Sequence, residues 1–160
     1  MKNFKKYLSN ETYDSTLDTQ NHINRLRELL SMASDTLIQR GIDHDKSKLD
    51  KIEKPLFDIE TPLLKSLTYG TDEYKDSLKR LGIALDNHYK NNSHHPEHYE
   101  NGIDDMDLFD IIEMFFDWKA AGERHENGNI YKSIDVNKKR FKMSDQLVNI
   151  YTNTAKKLGW

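Results

Sequence analysis

No cysteine occurs among the 160 residues. That excludes disulfides, thiolate nucleophiles and sulfur-ligated zinc, and it suits a reducing compartment. Glycine (7) and proline (3) are scarce, so few positions force a turn or break a helix. No apolar run approaches the ~20 residues needed to span a bilayer. The lysine-rich start, residues 1–8, has no apolar stretch or small-residue cleavage site behind it, so no signal peptide and no membrane partner are expected. Positive charge is not in excess either. A net charge of −3 with 32% charged residues excludes a broad nucleic-acid surface and leaves room only for a small basic pocket.

What is present is helical periodicity. Apolar residues recur at i, i+3 and i+4 rather than alternating, so the expected fold is all-α: one domain over residues 1–160, a helical bundle of about six helices. After a loose segment over 1–16, a first helix is expected from about Asp18 to Arg40. Its inward stripe is His22, Leu26, Leu29, Ala33 and Leu37, and Gly41 stops it. The run Gly41-Ile-Asp-His-Asp-Lys-Ser-Lys48 opens a second helix carrying Leu49, Ile52 and Leu56, bent or ended by Pro55, and a loop follows through Pro62 to Gly70. Thr71 caps a third helix whose face Leu78, Leu81, Ala84, Leu85 leads to His88. Residues 91–102 read as a loop or short turn. Asp107 caps a fourth helix, Leu108 to Ala121, with core face Leu108, Ile111, Ile112, Phe115 and Phe116. Asp110, Glu113 and Asp117 share a different face, an acidic stripe able to line a site, although Asp110 by itself reads as solvated. Gly122–Asn129 is a polar loop with His125 on the surface, and helices near Ser133–Phe141 and Ser144–Leu158 close the bundle.

The chemistry sits in the histidines. Six of the seven, His22, His44, His88, His94, His95 and His98, lie among acidic or polar neighbours. Imidazole with carboxylate is the ligand set of a divalent transition metal, Mn, Fe, Co, Ni or Zn. The stretch Asn91-Asn-Ser-His-His-Pro-Glu-His-Tyr-Glu-Asn-Gly102 is the densest in such ligands.

In chain order His22, His44-Asp45, His88, His94-His95 and Asp117 resemble the HD-domain superfamily of metal-dependent phosphohydrolases. The extra histidines look like its dinuclear branch, which includes cyclic-nucleotide and HD-GYP cyclic-di-GMP phosphodiesterases. His44-Asp-Lys-Ser-Lys48 is similar to the HD-GYP run His-Asp-Ile-Gly-Lys, and His94-His95-Pro-Glu-His-Tyr-Glu-Asn-Gly102 to its His-His-Glu run. Pro96 separates His95 from Glu97, and no Gly-Tyr-Pro follows Gly102. The runs His-Asp-Lys-Ser-Lys, Tyr69-Gly-Thr-Asp-Glu-Tyr74 and Glu113-Met-Phe-Phe-Asp-Trp-Lys-Ala120 also resemble a group of small phage and bacterial HD-like proteins of unassigned substrate.

The resemblance implies a metal-dependent phosphohydrolase acting on a small nucleotide, as phosphodiesterase or 5'-nucleotidase, in the cytoplasm, the host's if phage-encoded. It implies one or two ions. Asp45 bridges, His22, His44 and Asp117 complete one centre, and His88, His94 and His95 form the other. Lys48 takes the phosphoryl charge by family position. Arg25, one turn after His22, is a further phosphate contact. Glu113 either orients a ligand or acts as general base, and His98 either binds substrate or replaces His95. A metal-retaining protein that sequesters a nucleotide without turnover is the alternative. The oligomeric state is left open.

Overall fold

The computed structural model describes residues 13–68, 71–125 and 128–160. Most of the expected loose segment, residues 1–12, therefore lies outside the described residues, as do Tyr69, Gly70, Glu126 and Asn127. All regular structure among the described residues is helical, in seven α-helices rather than six: α1 (Thr16–Asp43), α2 (Lys54–Ser66), α3 (Asp72–Leu81), α4 (Ile83–Asn91), α5 (Leu108–Gly122), α6 (Ile130–Arg140) and α7 (Asp145–Lys157). No helix among them is long and apolar enough to cross a membrane.

The chain divides into two compact units, residues 1–38 and 39–160. In the first, α1 is the sole described helix, and a single amphipathic helix has nothing of its own to bury its stripe against. The inward placement expected of His22 is accordingly corrected: α1 has no buried residue, His22 is exposed, and Leu26 and Leu29 are 47% and 45% exposed. Arg25 is likewise exposed and pairs with Glu28 at 2.7 Å.

Within residues 39–160, α2 packs on α3 and α4, while α6 packs on α5 and α7. Met114, Phe115, Ile130, Ile134, Met143, Tyr151 and Ala155 form the apolar core between α5, α6 and α7. Each such large side chain contributes about 1.5–3 kcal/mol by leaving water. Phe115 stacks on Tyr151 with centroids 4.7 Å apart, and the Tyr151 hydroxyl donates to the Ile111 carbonyl at 2.9 Å. Only part of the expected α5 core face is inside, since Leu108 and Phe116 are 69% and 46% exposed. Between α2 and α3, the buried Glu60 carboxylate accepts from Arg80 Nε at 2.7 Å and Ser77 Oγ at 2.5 Å. Burying a carboxylate without such donors costs several kcal/mol, on the order of the desolvation penalty of one ion.

Three boundaries differ from the sequence expectation for identifiable reasons. α1 runs through Gly41 to Asp43, because glycine disfavours a helix without ending it unless the chain turns left-handed there. The turn comes instead at Asp45, φ 57°, ψ 14°, which opens a short 3-10 segment, Lys46–Leu49. No α-helix carries Leu49 and Ile52, which are exposed. Pro55 begins α2 rather than bending a helix, in the first-turn position where a missing N–H costs nothing, and α2 continues through Pro62. The expected third helix breaks at Gly82, φ 41°, ψ −115°, which ends α3 and starts α4. Thr71 and Asp107 cap α3 and α5 as expected, and Ser144, expected only as the start of the last helix, caps α7; each side chain accepts from first-turn backbone N–H groups.

Candidate metal centre

Four elements converge on one polar cluster. The end of α1 and the turn after it deliver Arg40, His44, Asp45 and Lys48. α4 delivers His88, the following segment delivers His94 and His95, and α5 delivers Asp110, Glu113 and Asp117. Asp45 is pivotal. Its left-handed backbone is one that aspartate tolerates better than most residues, and both members of the His44-Asp45 pair reach the cluster from it. His44 Nε2 lies 3.5 Å from Asp45 Oδ2 and 3.5 Å from Asp117 Oδ1.

Three ring nitrogens face one another around Asp45 Oδ1. His88 Nε2 is 3.2 Å and His94 Nε2 3.7 Å from that oxygen, and His95 Nε2 is 2.9 Å from His88 Nε2. Donors on a tetrahedral ion with ~2.0–2.1 Å bonds sit roughly 3.3 Å apart, so these separations fit a single transition-metal ion. Asp45 Oδ1 and His94 Nε2 are buried without any hydrogen-bond partner. Buried polar atoms are rarely left so, and a shared cation is what this donor set would accept. His88 and His94 are each 2% exposed.

Carboxylates hold the far sides of the His88, His94 and His44 rings. Glu53, 0% exposed, accepts from His88 Nδ1 at 3.0 Å and from Asn87 Nδ2 at 2.8 Å. Glu113 Oε1 accepts from His44 Nδ1 at 2.8 Å and His94 Nδ1 at 3.0 Å. Since Nδ1 carries the proton in His88 and His94, Nε2 keeps its lone pair for a metal. Glu113 Oε2 accepts from Arg40 Nε at 2.6 Å. With both oxygens engaged, Glu113 orients histidines and is not placed as a general base.

Asp110 is not solvated. It is 1% exposed and accepts from Arg40 at 2.5 Å, Ser93 Oγ at 2.6 Å and the Tyr99 hydroxyl at 2.6 Å, while also closing the capping box with Asp107. The acidic stripe of α5 thus does line a site, with all three members turned into it.

Electrostatics follow from these contacts. Hydrogen bonds to Asp117 and then Glu113 raise His44 to about 10. Burial, with His94 and His88 nearby, lowers His95 to about 3. Burial pushes Asp45 up, but the adjoining His88 ring and the Lys48 ammonium outweigh it and hold the carboxyl well below the usual range. Glu113 is held low in the same way by His44 and His94 against its own burial. Lys48 Nζ donates to Asp45 Oδ2 at 2.5 Å with about a third of its side chain exposed, 33%, and lies 5.2 Å from the Phe57 ring centre.

Of the sequence-predicted residues the structure brings together His44, Asp45, Lys48, His88, His94, His95, Glu113 and Asp117. His22 and Arg25 belong to the first unit, residues 1–38, whereas all of these lie within residues 39–160. His98 is exposed, with Nδ1 donating to the Tyr89 carbonyl at 2.9 Å, and it is in neither group of mutually close donors. His125 is on the surface as expected. Arg40, Glu53, Ser93 and Tyr99 were missed. Arg40 had a signal, standing near the end of α1 four residues before His44, whereas Glu53 had none, because nothing local marks a carboxylate that will be buried against a histidine 35 positions away.

No curated protein and no solved structure matches the chain. One family profile, described as "Family of unknown function (DUF5662)", matches residues 11–157, and the chain belongs to that family.

Proposed function

We propose that the protein is a metal-dependent phosphohydrolase acting on a nucleotide phosphoester. One observation carries the reading: Asp45 Oδ1 and His94 Nε2 are buried, unpartnered and aimed at the same point as the Nε2 atoms of His88 and His95. His88, His94, His95 and Asp45 would hold the ion, with His44 and Asp117 beside it. A metal bound there supplies Lewis acidity and lowers the pKa of water toward ~7, making hydroxide available at neutral pH.

The chain's own groups do the rest. Glu53 and Glu113 fix the proton on Nδ1 of His88 and His94, which keeps their Nε2 atoms free as ligands. Arg40 pins Glu113 between two histidines. Lys48, a third exposed beside Asp45 (33%), would neutralise a non-bridging phosphate oxygen as charge builds on it. The nucleotide comes from the likeness of His44-Asp-Lys-Ser-Lys48 and the His94-His95 run to HD phosphohydrolases.

The test is a screen of chelator-treated protein reloaded with Mn²⁺, Fe²⁺, Co²⁺, Ni²⁺, Zn²⁺ or Mg²⁺ against nitrophenyl phosphate mono- and diesters, nucleoside monophosphates and cyclic and linear dinucleotides. Turnover that needs the metal and vanishes in Asp45→Asn is expected. Absence of turnover under every metal overturns catalysis; a nucleotide then recovered intact from denatured protein would identify a sequestering protein instead.

A further inference from the structure

The donors around Asp45 are of two kinds. On the Oδ1 side stand three imidazole nitrogens, in a buried pocket with two unpartnered atoms. On the Oδ2 side stands one imidazole, His44, whose Nε2 lies 3.5 Å from Asp45 Oδ2 and 3.5 Å from Oδ1 of a further carboxylate, Asp117. The Lys48 ammonium lies on Oδ2 at 2.5 Å.

We propose that these are two unequal cation positions: a nitrogen-rich one (His88, His94, His95, Asp45 Oδ1) that retains a transition-metal ion, and an oxygen-rich one (His44, Asp117, Asp45 Oδ2) whose positive charge is the Lys48 ammonium. The inference rests on the metal-dependent reading above and adds which position fills and why the other does not. A second divalent ion needs the same Asp45 oxygen that Lys48 holds, so it enters only by displacing Lys48. The donor chemistry points the same way, since three imidazoles select Zn, Co, Ni or Fe, while one imidazole with two carboxylates suits the more weakly held Mn or Mg. Lys48 therefore plays the part that the second ion takes in a two-metal phosphoryl-transfer site, sharing the charge of the phosphate across the bridging aspartate. Access agrees with this assignment, because the lysine is 33% exposed whereas His88 and His94 are 2% and 3% exposed at their side chains.

The experiment uses chelator-treated full-length protein titrated with Co²⁺, followed by visible absorption and by metal analysis after desalting. Wild type should retain one ion per chain. Lys48→Met, which keeps the apolar stem against Phe57 and removes the ammonium, should retain two, or bind the second at least ~10-fold more tightly, since an unpaired Asp45 oxygen then faces His44 and Asp117. Adding Asp117→Asn to Lys48→Met should return the count to one. Wild type retaining two ions, or Lys48→Met binding as wild type does, overturns the inequality and leaves the metal-dependent reading standing. Wild type retaining no ion overturns both. Circular dichroism and melting of each variant establish that it is folded before the count is read.

Discussion

Arg40 Nε donates to Glu113 Oε2 at 2.6 Å, and the other oxygen of that carboxylate accepts hydrogen bonds from His44 and His94 at once. One residue of α1 thus sets the orientation of two histidines delivered by different segments. Glu113→Gln places an amide N–H₂ against either Arg40 or the two ring N–H groups, donor facing donor. Metal affinity should fall ~10–100-fold, the usual cost of losing a carboxylate behind a ligating histidine, with ~1–3 kcal/mol lost from folding. Competition of Co²⁺ against a chelating dye measures the first and urea denaturation the second. An unchanged affinity would show that Glu113 positions nothing.

Asp45 combines a ligand's charge with a left-handed backbone, and the two roles separate by substitution. Asparagine tolerates this conformation about as well as aspartate, while alanine pays roughly 1–2 kcal/mol for it. Asp45→Asn should therefore keep the turn while losing metal binding and the ion pairs of the carboxylate, whereas Asp45→Ala should melt lower still, by the further ~1–2 kcal/mol of the left-handed backbone. The comparison is of melting temperatures in EDTA. Equal melting of the two variants would sink the claim that the turn is strained for residues other than aspartate and asparagine.

For metal-free protein the titrating groups predict a stability maximum near pH 6.5. His44 is raised to about 10 in the fold, so its stabilisation is complete below the unfolded value near ~6.5 and is lost as pH climbs from there towards 10. His95 is lowered to about 3; the unfolded chain protonates it below ~6.5 when the fold does not, so acidification costs stability from that point down. Asp45 and Glu113, both held below the ordinary carboxylate range, add to the acid loss under pH ~4. Melting in EDTA between pH 4 and 9 should trace an arch, and His44→Asn should flatten its alkaline limb. A flat limb in wild type would contradict the assignment of His44 as an imidazolium clasped by Asp117 and Glu113.

Much of the cluster was legible because its donor residues ride on local patterns. His44 and Asp45 are adjacent, His94 and His95 are adjacent, and Glu113 and Asp117 share a face of α5 by i, i+4 spacing. His88 continued the apolar stripe of Leu81 and Ala84, all three of which are buried. What could not be read depends on distant partners. Asp110 looked solvated because its burial is made tolerable by Arg40, 70 positions away, and Glu53 has the same problem with His88. The α1 stripe failed for the opposite reason: Leu26 and Leu29 obey the helical period, but periodicity states what a helix could bury, not whether its unit supplies a surface to bury it against. Helix ends were read where a side chain caps, as at Thr71, Asp107 and Ser144, and misread where a glycine or proline decides, as at Gly41, Pro55 and Gly82.

Gly82 joins that local decision to the site. Its φ of 41° with ψ of −115° lies where residues with a side chain rarely go, and it serves as both the last cap of α3 and the first of α4. Its N–H reaches the Lys79 carbonyl at 3.1 Å, and its own carbonyl accepts from Leu85 and Asp86 at 3.0 and 3.1 Å. A Cβ built there would meet the Lys79 carbonyl oxygen at 3.6 Å, ordinary contact, so the penalty of Gly82→Ala is conformational rather than steric. About 1–3 kcal/mol should be lost. If the chain instead relaxes by straightening α3 into α4, His88 moves away from Asp45 and His95, and metal affinity falls along with stability. Measuring both in one variant separates these responses: lost stability with wild-type Co²⁺ affinity means strain held in place, and the loss of both means the break at Gly82 is what aims His88 at the ion. Retention of both would show that this backbone corner is neither strained nor needed.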